Sequence, residues 1–447
     1  MKILRPYQTI AADRAQRRSL LLADQCGLGK TITGIEAAKA IQAKIEKPIL
    51  IVVPTGKVKL QWLDALQEQG ISAERIIWLD SSTKLAKLSV TDASVILTHY
   101  EAMRKHQDWL KGYYYSVIIA DEAHRLKNRK AQRTEAIKRF RAYRRIALTG
   151  TPYDRNPADI WSILNWIDPD FFTSYWNFFN AHIAYKEVRV ARDTVVKQIL
   201  PQPLLDAASF ARTLRPYMLA RTKQEVRDDL PPRIDQYIDL EMSRDQASAY
   251  RKIEEANDPS VELADGVETS VSIVLTQILR LIQVTTDPTL LGLSTASSVK
   301  LDWVQDWLED NPQESVIIFT RFRDTAIKLH TLFNSQERLD DGRGFKLIVG
   351  GHRDDVTAND RYIVGTISAM GEGLDLPHID NAIFIDREWS SILMDQAIDR
   401  IHRINITNAK NIYWLRCIDT VDEMMQQANE SKWGTKQLVE SYLKGTL

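Results

Sequence analysis

The chain has 447 residues, and its 59 Lys and Arg residues balance 59 Asp and Glu residues, so the formal net charge is zero. Hydrophobic residues make up 44%, which excludes a wholly disordered chain and suits two or three globular domains. The charge is uneven, because residues 1–150 hold 27 basic and 14 acidic residues (+13) and residues 151–447 hold 32 and 45 (−13). Opposite charge in two parts of a chain indicates two domains with different roles.

The sequence predicts neither a targeting signal nor stabilising disulfide bonds or metal sites. The first ten residues, MKILRPYQTI, lack an apolar signal region, and no apolar run approaches the roughly 20 residues of a membrane span. Cys26 and Cys417 are too few for a disulfide framework and lack the spacing of metal ligands. We therefore expect a cytoplasmic protein without a membrane partner.

Short apolar runs alternate with helical patterns in the first third of the chain. Runs this apolar suit parallel strands that are covered on both faces, and the stretch at 31–47 has the apolar spacing of a helix between two of them. This alternation predicts a parallel α/β domain. Its strands are predicted at 19–24, 49–53, 94–98, 116–120 and 145–149.

The middle of the chain is aromatic, with eight aromatic residues between 161 and 179. They suit either a base-stacking platform or the core of a helical subdomain, and the lack of neighbouring basic residues favours the core. Residues 230–232, LPP, indicate a linker. A second alternating series then predicts a second α/β domain, with strands at 315–319, 346–350, 362–366, 381–385 and 411–415.

The segment ADQCGLGKT at 23–31 has the layout of a phosphate-binding loop. Glycines let backbone N–H groups approach an anion, and a helix N-terminus adds partial positive charge. We expect Lys30 to reach the β- and γ-phosphates and Thr31 to ligand Mg²⁺. The general pattern has Gly at position 24, where this chain has Asp.

Two further turns after predicted strands suit nucleotide chemistry. In VIIADEAHRLKN (117–128), carboxylates follow an apolar strand, as a nucleotide-bound Mg²⁺ requires. Asp121 is expected to hold the metal and Glu122 to polarise the attacking water. The third turn, Thr149-Gly150-Thr151, means little alone. In the second half, Arg400 and Arg403 are three residues apart, and they suit either arginine fingers or a solvated helix face.

The order of these motifs resembles the superfamily 2 helicase-like ATPases, and specifically the Swi/Snf-type DNA translocases. The likeness includes LRPYQ (4–8), VVPTGKVKLQW (52–62), LTHYEAM (97–103), DEAHRLKN, the stretch from LTGTP, LARTKQEVRDDLPP (219–232), VIIFTRF (316–322) and QAIDRIHRI. Asp399 is typical of the Swi/Snf type, and Asp24 is part of that family's own loop. The short chain is similar to compact phage or bacterial DNA helicases.

The resemblance implies an α/β fold of two RecA-like P-loop NTPase lobes, each a parallel sheet flanked by helices, with a helical aromatic-rich insert. ATP would bind between the lobes, with Mg²⁺ as cofactor. The implied domains are lobe 1 with the ATP-binding residues at 1–155, the insert at 156–222, a linker and helical start of lobe 2 at 223–298, and lobe 2 with C-terminal helices at 299–447.

The resemblance also implies roles for individual residues. The nucleotide-binding set is Gln8 (on the base), Gly27, Leu28, Gly29, Lys30, Thr31, Gly373, Arg400 and Arg403. Coupling of hydrolysis to DNA would use His124, Thr149, Thr151 and Gln396. The implied DNA contacts are Thr55, Lys57, Lys127, Asn128, Arg321, Ser368 and Trp389, and Trp389 suits a core position equally well.

Residues 125–145 hold ten basic residues and one acidic residue. This run suits either a solvated helix or a surface that helps to hold the DNA backbone.

Three functions remain open. The leading one is an ATP-dependent, monomeric helicase that unwinds or branch-migrates forked or junction DNA in replication, recombination or repair. The second is a duplex translocase that strips or remodels bound protein without strand separation. The third is a nucleotide-gated scaffold with little turnover, which the complete ATP motifs disfavour.

Overall fold

A computed structural model describes residues 3–153, 156–191, 194–226, 231–255, 267–293, 298–335, 344–370, 376–402 and 406–431. The chain divides into two compact units, Met1–Asp228 and Asp229–Leu447. Among the helices of these ranges, none has both the length and the apolar character that crossing a bilayer requires.

The described helices and strands alternate through both units. The helices are α1 (Pro6–Arg17), α2 (Lys30–Ile45), α3 (Lys59–Glu68), α4 (Tyr100–Lys105), α5 (Gln107–Leu110), α6 (Gln132–Lys138), α7 (Ile160–Ile167), α8 (Tyr175–His182), α9 (Ala207–Leu214), α10 (Lys223–Val226), α11 (Arg244–Glu255), α12 (Val267–Thr286), α13 (Val299–Asp310), α14 (Arg323–Ser335), α15 (Ile367–Met370), α16 (Ser391–Ile398) and α17 (Val421–Glu430). The strands are β1 (Leu20–Leu22), β2 (Ile49–Val53), β3 (Ile76–Leu79), β4 (Val95–His99), β5 (Tyr114–Ala120), β6 (Arg141–Leu148), β7 (Ile183–Ala191), β8 (Thr194–Leu204), β9 (Met218–Leu219), β10 (Arg233–Leu240), β11 (Val316–Thr320), β12 (Lys346–Val349), β13 (His352–Arg353), β14 (Tyr362–Thr366), β15 (Asn381–Phe384) and β16 (Lys410–Cys417).

The first unit contains a seven-stranded parallel sheet in the order β3-β4-β2-β5-β6-β1-β9. Successive side chains of β2 alternate between the two faces, so that Leu50 and Val52 join one buried cluster and Ile49, Ile51 and Val53 join the other. Both faces are therefore covered, which explains why the strands are continuous apolar runs.

The second unit contains another seven-stranded sheet, in the order β10-β16-β15-β11-β14-β12-β13. All neighbours are parallel except β12 and β13. Buried clusters cover both faces here too, since Ile317 and Phe319 lie in one and Val316 and Ile318 in the other. The two parallel-sheet α/β lobes that the sequence predicts are thus present, and all ten predicted strands are confirmed to within a few residues.

The aromatic segment forms core, as the favoured interpretation expects. Trp161, Trp166, Phe172 and Phe178 are buried in the same cluster that covers one face of the first sheet. The segment is not purely helical, because the antiparallel ribbon of β7 and β8 follows α8. Strand β9 then returns to pair with β1 at the edge of the sheet.

The basic run at 125–145 is not a single solvated helix. Helix α6 spans only seven residues of it and buries Thr134, Ala136 and Ile137. The last residues belong to strand β6, which begins at Arg141. Its cations are therefore presented by a turn, a short helix and a strand.

Candidate active site

Three of the predicted turns follow neighbouring strands of the first sheet. The phosphate-binding loop follows β1, the Asp121–Glu122 turn follows β5, and the Thr149-Gly150-Thr151 turn follows β6. These strands are parallel and adjacent in the order β5-β6-β1. Their carboxyl ends meet at one edge of the sheet, where open α/β sheets bind their ligands.

The phosphate-binding loop has the backbone that its glycines allow. Gly27 has φ 84° and Gly29 has φ 75°, both in the left-handed region that favours glycine. Gly29 immediately precedes α2, and Lys30 and Thr31 begin it. The loop therefore leads directly into the N-terminus of a 16-residue helix, whose N–H groups and dipole favour an anion.

Gln8 packs against this loop. Its Nε2 atom donates to the Leu28 carbonyl at 3.1 Å, and its Oε1 atom accepts from the Arg5 amide at 2.9 Å. A Cβ atom on Gly29 would collide with Gln8 Nε2. Helix α1 and the loop are thus fitted together, and Gln8 lies beside the expected position of the nucleotide.

Lys30 and the Thr-Gly-Thr turn lie side by side. Lys30 Nζ donates to the Asp24 carbonyl at 2.7 Å. A Cβ atom on Gly150 would lie 2.6 Å from Cys26 Sγ and 3.6 Å from Lys30 Nζ. Gly150 therefore permits close approach between the turn after β6 and the loop after β1.

Asp121 is held by hydrogen bonds at both carboxylate oxygens. Trp62 Nε1 donates to its Oδ2 atom at 2.9 Å, and the Glu122 amide donates to its Oδ1 atom at 3.0 Å. Burial and the charge of Glu122 raise the pKa of Asp121, while Trp62 and Lys30 oppose this rise. A divalent cation would favour the ionised carboxylate, and the oxygen donors of Asp121 and Thr31 fit Mg²⁺.

Glu122 has φ 45° and ψ 52°, a left-handed conformation that is uncommon for a residue with a side chain. Its Oε2 atom lies 3.2 Å from His124 Nδ1, and His124 Nδ1 lies 3.2 Å from Thr149 Oγ1. The Thr151 amide donates to the same hydroxyl at 3.2 Å. Four predicted residues from two turns are therefore linked through adjacent polar contacts.

Two partners of this site were not predicted, although both lie in motifs that the sequence analysis identifies. Trp62 is the last residue of VVPTGKVKLQW and contacts Asp121, 59 positions away. Arg221, in LARTKQEV, forms an ion pair with Asp24, 197 positions away. Asp24 is thus the acidic half of a buried pair, which gives a physical reason for its presence where the general loop has Gly.

The predicted DNA contacts of the first unit occupy different positions. Lys127 and Asn128 are exposed in the turn before α6, and Asn128 Oδ1 accepts from the Lys130 amide at 3.0 Å. Thr55 is partly buried and precedes the 3₁₀ turn Gly56–Val58. The side chain of Lys57 lies outside the described residues.

In the second unit, the loops that follow β15, β11 and β14 also meet at the carboxyl ends of adjacent strands. The Arg321 guanidinium lies 4.7 Å from the centre of the Trp389 ring, and Arg321 Nε lies 3.7 Å from Glu388. Asp386, whose pKa burial raises to about 6, accepts from the Arg321 amide at 2.6 Å. Arg321 and Trp389 are therefore in contact with each other, and the Arg321 backbone is bonded to a buried carboxylate.

The other predicted residues of this unit are only partly described. Ser368 is exposed on α15. Trp389 is partly buried and packs against a buried cluster that includes residues of α12 and α17. Arg400 Nε donates to the Gln396 carbonyl at 3.1 Å, which links two predicted residues at the end of α16. Gly373 and Arg403 lie outside the described residues.

Curated relatives match almost the whole chain. An "ISWI chromatin-remodeling complex ATPase ISW1" from Saccharomyces cerevisiae is 25% identical over 98% of this chain and 40% of its own length. A "Putative ATP-dependent helicase/translocase YwqA" from Bacillus subtilis is 24% identical over 96% of this chain and 48% of its own length. The chain spans less than half of these relatives.

A solved structure, "Sulfolobus solfataricus SWI2/SNF2 ATPase core in complex with dsDNA", has 23% sequence identity, covers 98% of this chain and 96% of its own, and has a TM-score of 0.44. The SNF2-related domain model matches residues 9–290, and the helicase conserved C-terminal domain model matches residues 299–405. The first match alone includes more than half of the sequence. The chain therefore belongs to the SNF2-related family of superfamily 2 helicase-like ATPases.

Proposed function

We propose that this chain is a DNA-dependent ATPase that moves along duplex DNA and unwinds or branch-migrates forked and junction DNA. The observation that carries the ATPase is the meeting of the phosphate loop, the Asp121–Glu122 turn and the Thr149–Thr151 turn at adjacent strand ends. Similarity to a putative helicase/translocase supports the motor activity. Work in replication, recombination or repair would suit such a motor.

In this proposal, the first unit binds and positions the nucleotide. Gln8 contacts the base, the backbone of Gly27, Leu28 and Gly29 surrounds the phosphates, and Lys30 pairs with the β- and γ-phosphates. Thr31 and Asp121 would hold Mg²⁺, which would supply positive charge to neutralise the phosphates. Glu122 polarises the attacking water, since its carboxylate lies next to the metal ligand in the same turn.

The second unit completes hydrolysis and the contact with DNA. Arg400 and Arg403 stabilise charge on the γ-phosphate, and Gly373 approaches the nucleotide. Coupling runs through His124, Thr149 and Thr151 in the first unit and Gln396 in the second. The DNA backbone is held by Thr55, Lys57, Lys127, Asn128, Arg321, Ser368 and Trp389.

The ATPase is tested by measuring turnover with and without duplex DNA. We expect DNA-stimulated hydrolysis in the unaltered chain, loss of nucleotide affinity in Lys30→Ala, and retained affinity with lost turnover in Glu122→Gln. Lys44→Ala is the matched control, because Lys44 is exposed near the other end of α2. A chain that binds ATP but shows no stimulated turnover would instead support a nucleotide-gated scaffold.

The DNA preference is tested by strand displacement with duplex, fork, three-way and four-way junction substrates. Displacement confined to branched substrates, dependent on ATP and absent in Glu122→Gln, would support the proposal. Movement along duplex DNA without displacement of any strand would support the second function, removal or remodelling of bound protein.

A further inference from the structure

The phosphate loop begins at a buried ion pair between Asp24 and Arg221. Arg221 Nε donates to Asp24 Oδ1 at 2.9 Å, and Arg221 Nη2 donates to Asp24 Oδ2 at 2.5 Å. The Asp24 side chain is 2% exposed and that of Arg221 is 17% exposed. Two parallel N–H···O bonds fix the orientation of both groups, which a lysine could not do with its single ammonium.

Arg221 also contacts the helix that carries Gln8. Its Nη1 atom donates to the Tyr7 carbonyl at 2.6 Å. The Tyr7 hydroxyl in turn donates to the Leu28 carbonyl at 2.8 Å, beside the bond from Gln8 to the same oxygen. One guanidinium therefore joins the start of the phosphate loop, the entry to α1 and, through Tyr7, the middle of the loop.

The backbone around Arg221 is bonded to the same loop. The Ala23 amide donates to the Leu219 carbonyl at 2.6 Å, and the Gln25 amide donates to the Arg221 carbonyl at 2.9 Å. The Lys223 amide donates to Gln25 Oε1 at 2.8 Å. We call residues 217–223 the docking segment, since they extend the first sheet by the short strand β9.

The docking segment lies shortly before the boundary of the two units, which falls between Asp228 and Asp229. A change in its position would therefore act on the part of the chain that leads into the second unit. Apart from the bond to the Tyr7 carbonyl, each contact of the docking segment described above involves the loop that is expected to bind phosphate. Loss of the ion pair would leave a carboxylate buried without its partner, which strongly disfavours the docked arrangement.

We propose that Arg221 is a positioning residue that makes nucleotide binding by the phosphate loop and docking of residues 217–223 mutually dependent. This inference rests on the proposed nucleotide binding and adds a route by which the nucleotide state reaches the connection to the second unit. Because coupling between two sites is reciprocal, nucleotide should stabilise the docked segment as much as docking strengthens nucleotide binding.

The test uses the full chain and a non-hydrolysable ATP analogue with Mg²⁺. Nucleotide affinity and hydrogen exchange of the amides at 219–225 are measured together. In the unaltered chain, the analogue should slow exchange in this segment. Arg221→Gln should weaken affinity between about 5-fold and 150-fold and remove the effect of nucleotide on exchange. Arg221→Lys should retain part of the nucleotide affinity and part of the nucleotide effect on exchange, because lysine keeps the charge but cannot form the two parallel hydrogen bonds.

Arg212→Gln is the matched control. Arg212 is exposed on α9 and pairs at 3.7 Å with Asp206, which is also exposed, so its removal should change neither measurement. The double variant Asp24→Asn/Arg221→Gln addresses loss of folding, since it leaves no unpaired buried charge. This double variant should unfold cooperatively at a melting temperature close to that of the unaltered chain. Nucleotide should still fail to slow hydrogen exchange in the docking segment.

Normal affinity and normal nucleotide-dependent exchange in Arg221→Gln or in the double variant would overturn the inference. So would an unaltered chain whose segment exchanges equally fast with and without bound analogue. Both results leave the proposed ATPase standing. An unaltered chain that binds no nucleotide would overturn the proposed function and this inference together.

Discussion

The imidazole of His124 contacts the hydroxyl of Thr149, with 3.2 Å between Nδ1 and Oγ1. This contact joins the turn that carries Glu122 to the Thr149-Gly150-Thr151 turn, although the two turns follow different strands. Thr149 is fully buried, and its hydroxyl also accepts from the Thr151 amide. A shift of the Asp121–Glu122 turn would therefore directly displace the Thr149-Gly150-Thr151 turn.

We expect Thr149→Val to uncouple hydrolysis from DNA. Valine keeps the shape of the side chain but removes the acceptor for the Thr151 amide and the partner of His124. Leaving a buried group unsatisfied costs about 1–3 kcal/mol, so DNA-stimulated turnover should fall at least tenfold while analogue affinity stays within about twofold. Thr331→Val is the control, because Thr331 is exposed on α14. Full stimulation in Thr149→Val would contradict the coupling role.

Gly150→Ala should weaken nucleotide binding by steric pressure on the phosphate loop. The added Cβ atom would lie 2.6 Å from Cys26 Sγ, closer than unbonded atoms can remain, so the loop or the turn must move. We expect the additional substitution Cys26→Ala to recover much of the lost affinity, since it removes the sulfur. Gly350→Ala is the control, because a Cβ atom there meets nothing within 4 Å. Equal affinities by calorimetry would argue against this close approach.

The main strands could be predicted because burial on both faces makes each one a continuous apolar run. The missed strands have different surroundings. Strand β10 lies at the edge of its sheet and reads RIDQYIDL, with exposed and partly buried residues in alternation. Strand β9 has only two residues. Strands β7 and β8 are consecutive and pair with each other, and they fall in the insert for which the sequence analysis predicts helices.

The same distinction applies to the candidate site. Residues such as Lys30 and Asp121 were found because the chemistry of each is concentrated in a short segment after a strand. Trp62 and Arg221 act through partners far away in the sequence. Both lie in motifs of the family resemblance, but the contacts follow only from the sheet order, which places β2 beside β5 and β9 beside β1.

Arg403→Ala should retain ATP binding and lose most turnover. Arginine fingers contribute roughly 10³–10⁵ in rate in related nucleotide hydrolases, because they stabilise charge that develops only in the transition state. Steady-state hydrolysis with saturating DNA, together with analogue affinity, measures both effects. Arg361→Ala is the control, since Arg361 immediately precedes β14, at the amino end of that strand, and bonds to the Pro312 and Glu314 carbonyls. Stimulated turnover equal to that of the unaltered chain would refute the finger assignment.

The basic turn before α6, together with Arg133 at the start of α6, should contribute to the salt dependence of DNA binding. Arg129 lies 4.2 Å from the centre of the Tyr175 ring, which fixes one cation beside the exposed Lys127 and Lys130. Each neutralised phosphate adds about 0.9 to the slope of log affinity against log salt. Replacing Arg129, Lys130 and Arg133 with Gln should therefore flatten the slope by up to about 2.7.

A matched triple variant separates this local effect from a change in total charge. Lys47→Gln, Lys111→Gln and Arg212→Gln remove the same number of cations from surface ion pairs elsewhere in the first unit. If the slope depended on net charge alone, both variants would flatten it equally. A larger change in the first variant would locate the phosphate contacts at the turn, because screening limits each charge to a range of about 8–10 Å. An unchanged slope in the first variant would exclude phosphate contacts by Arg129, Lys130 and Arg133.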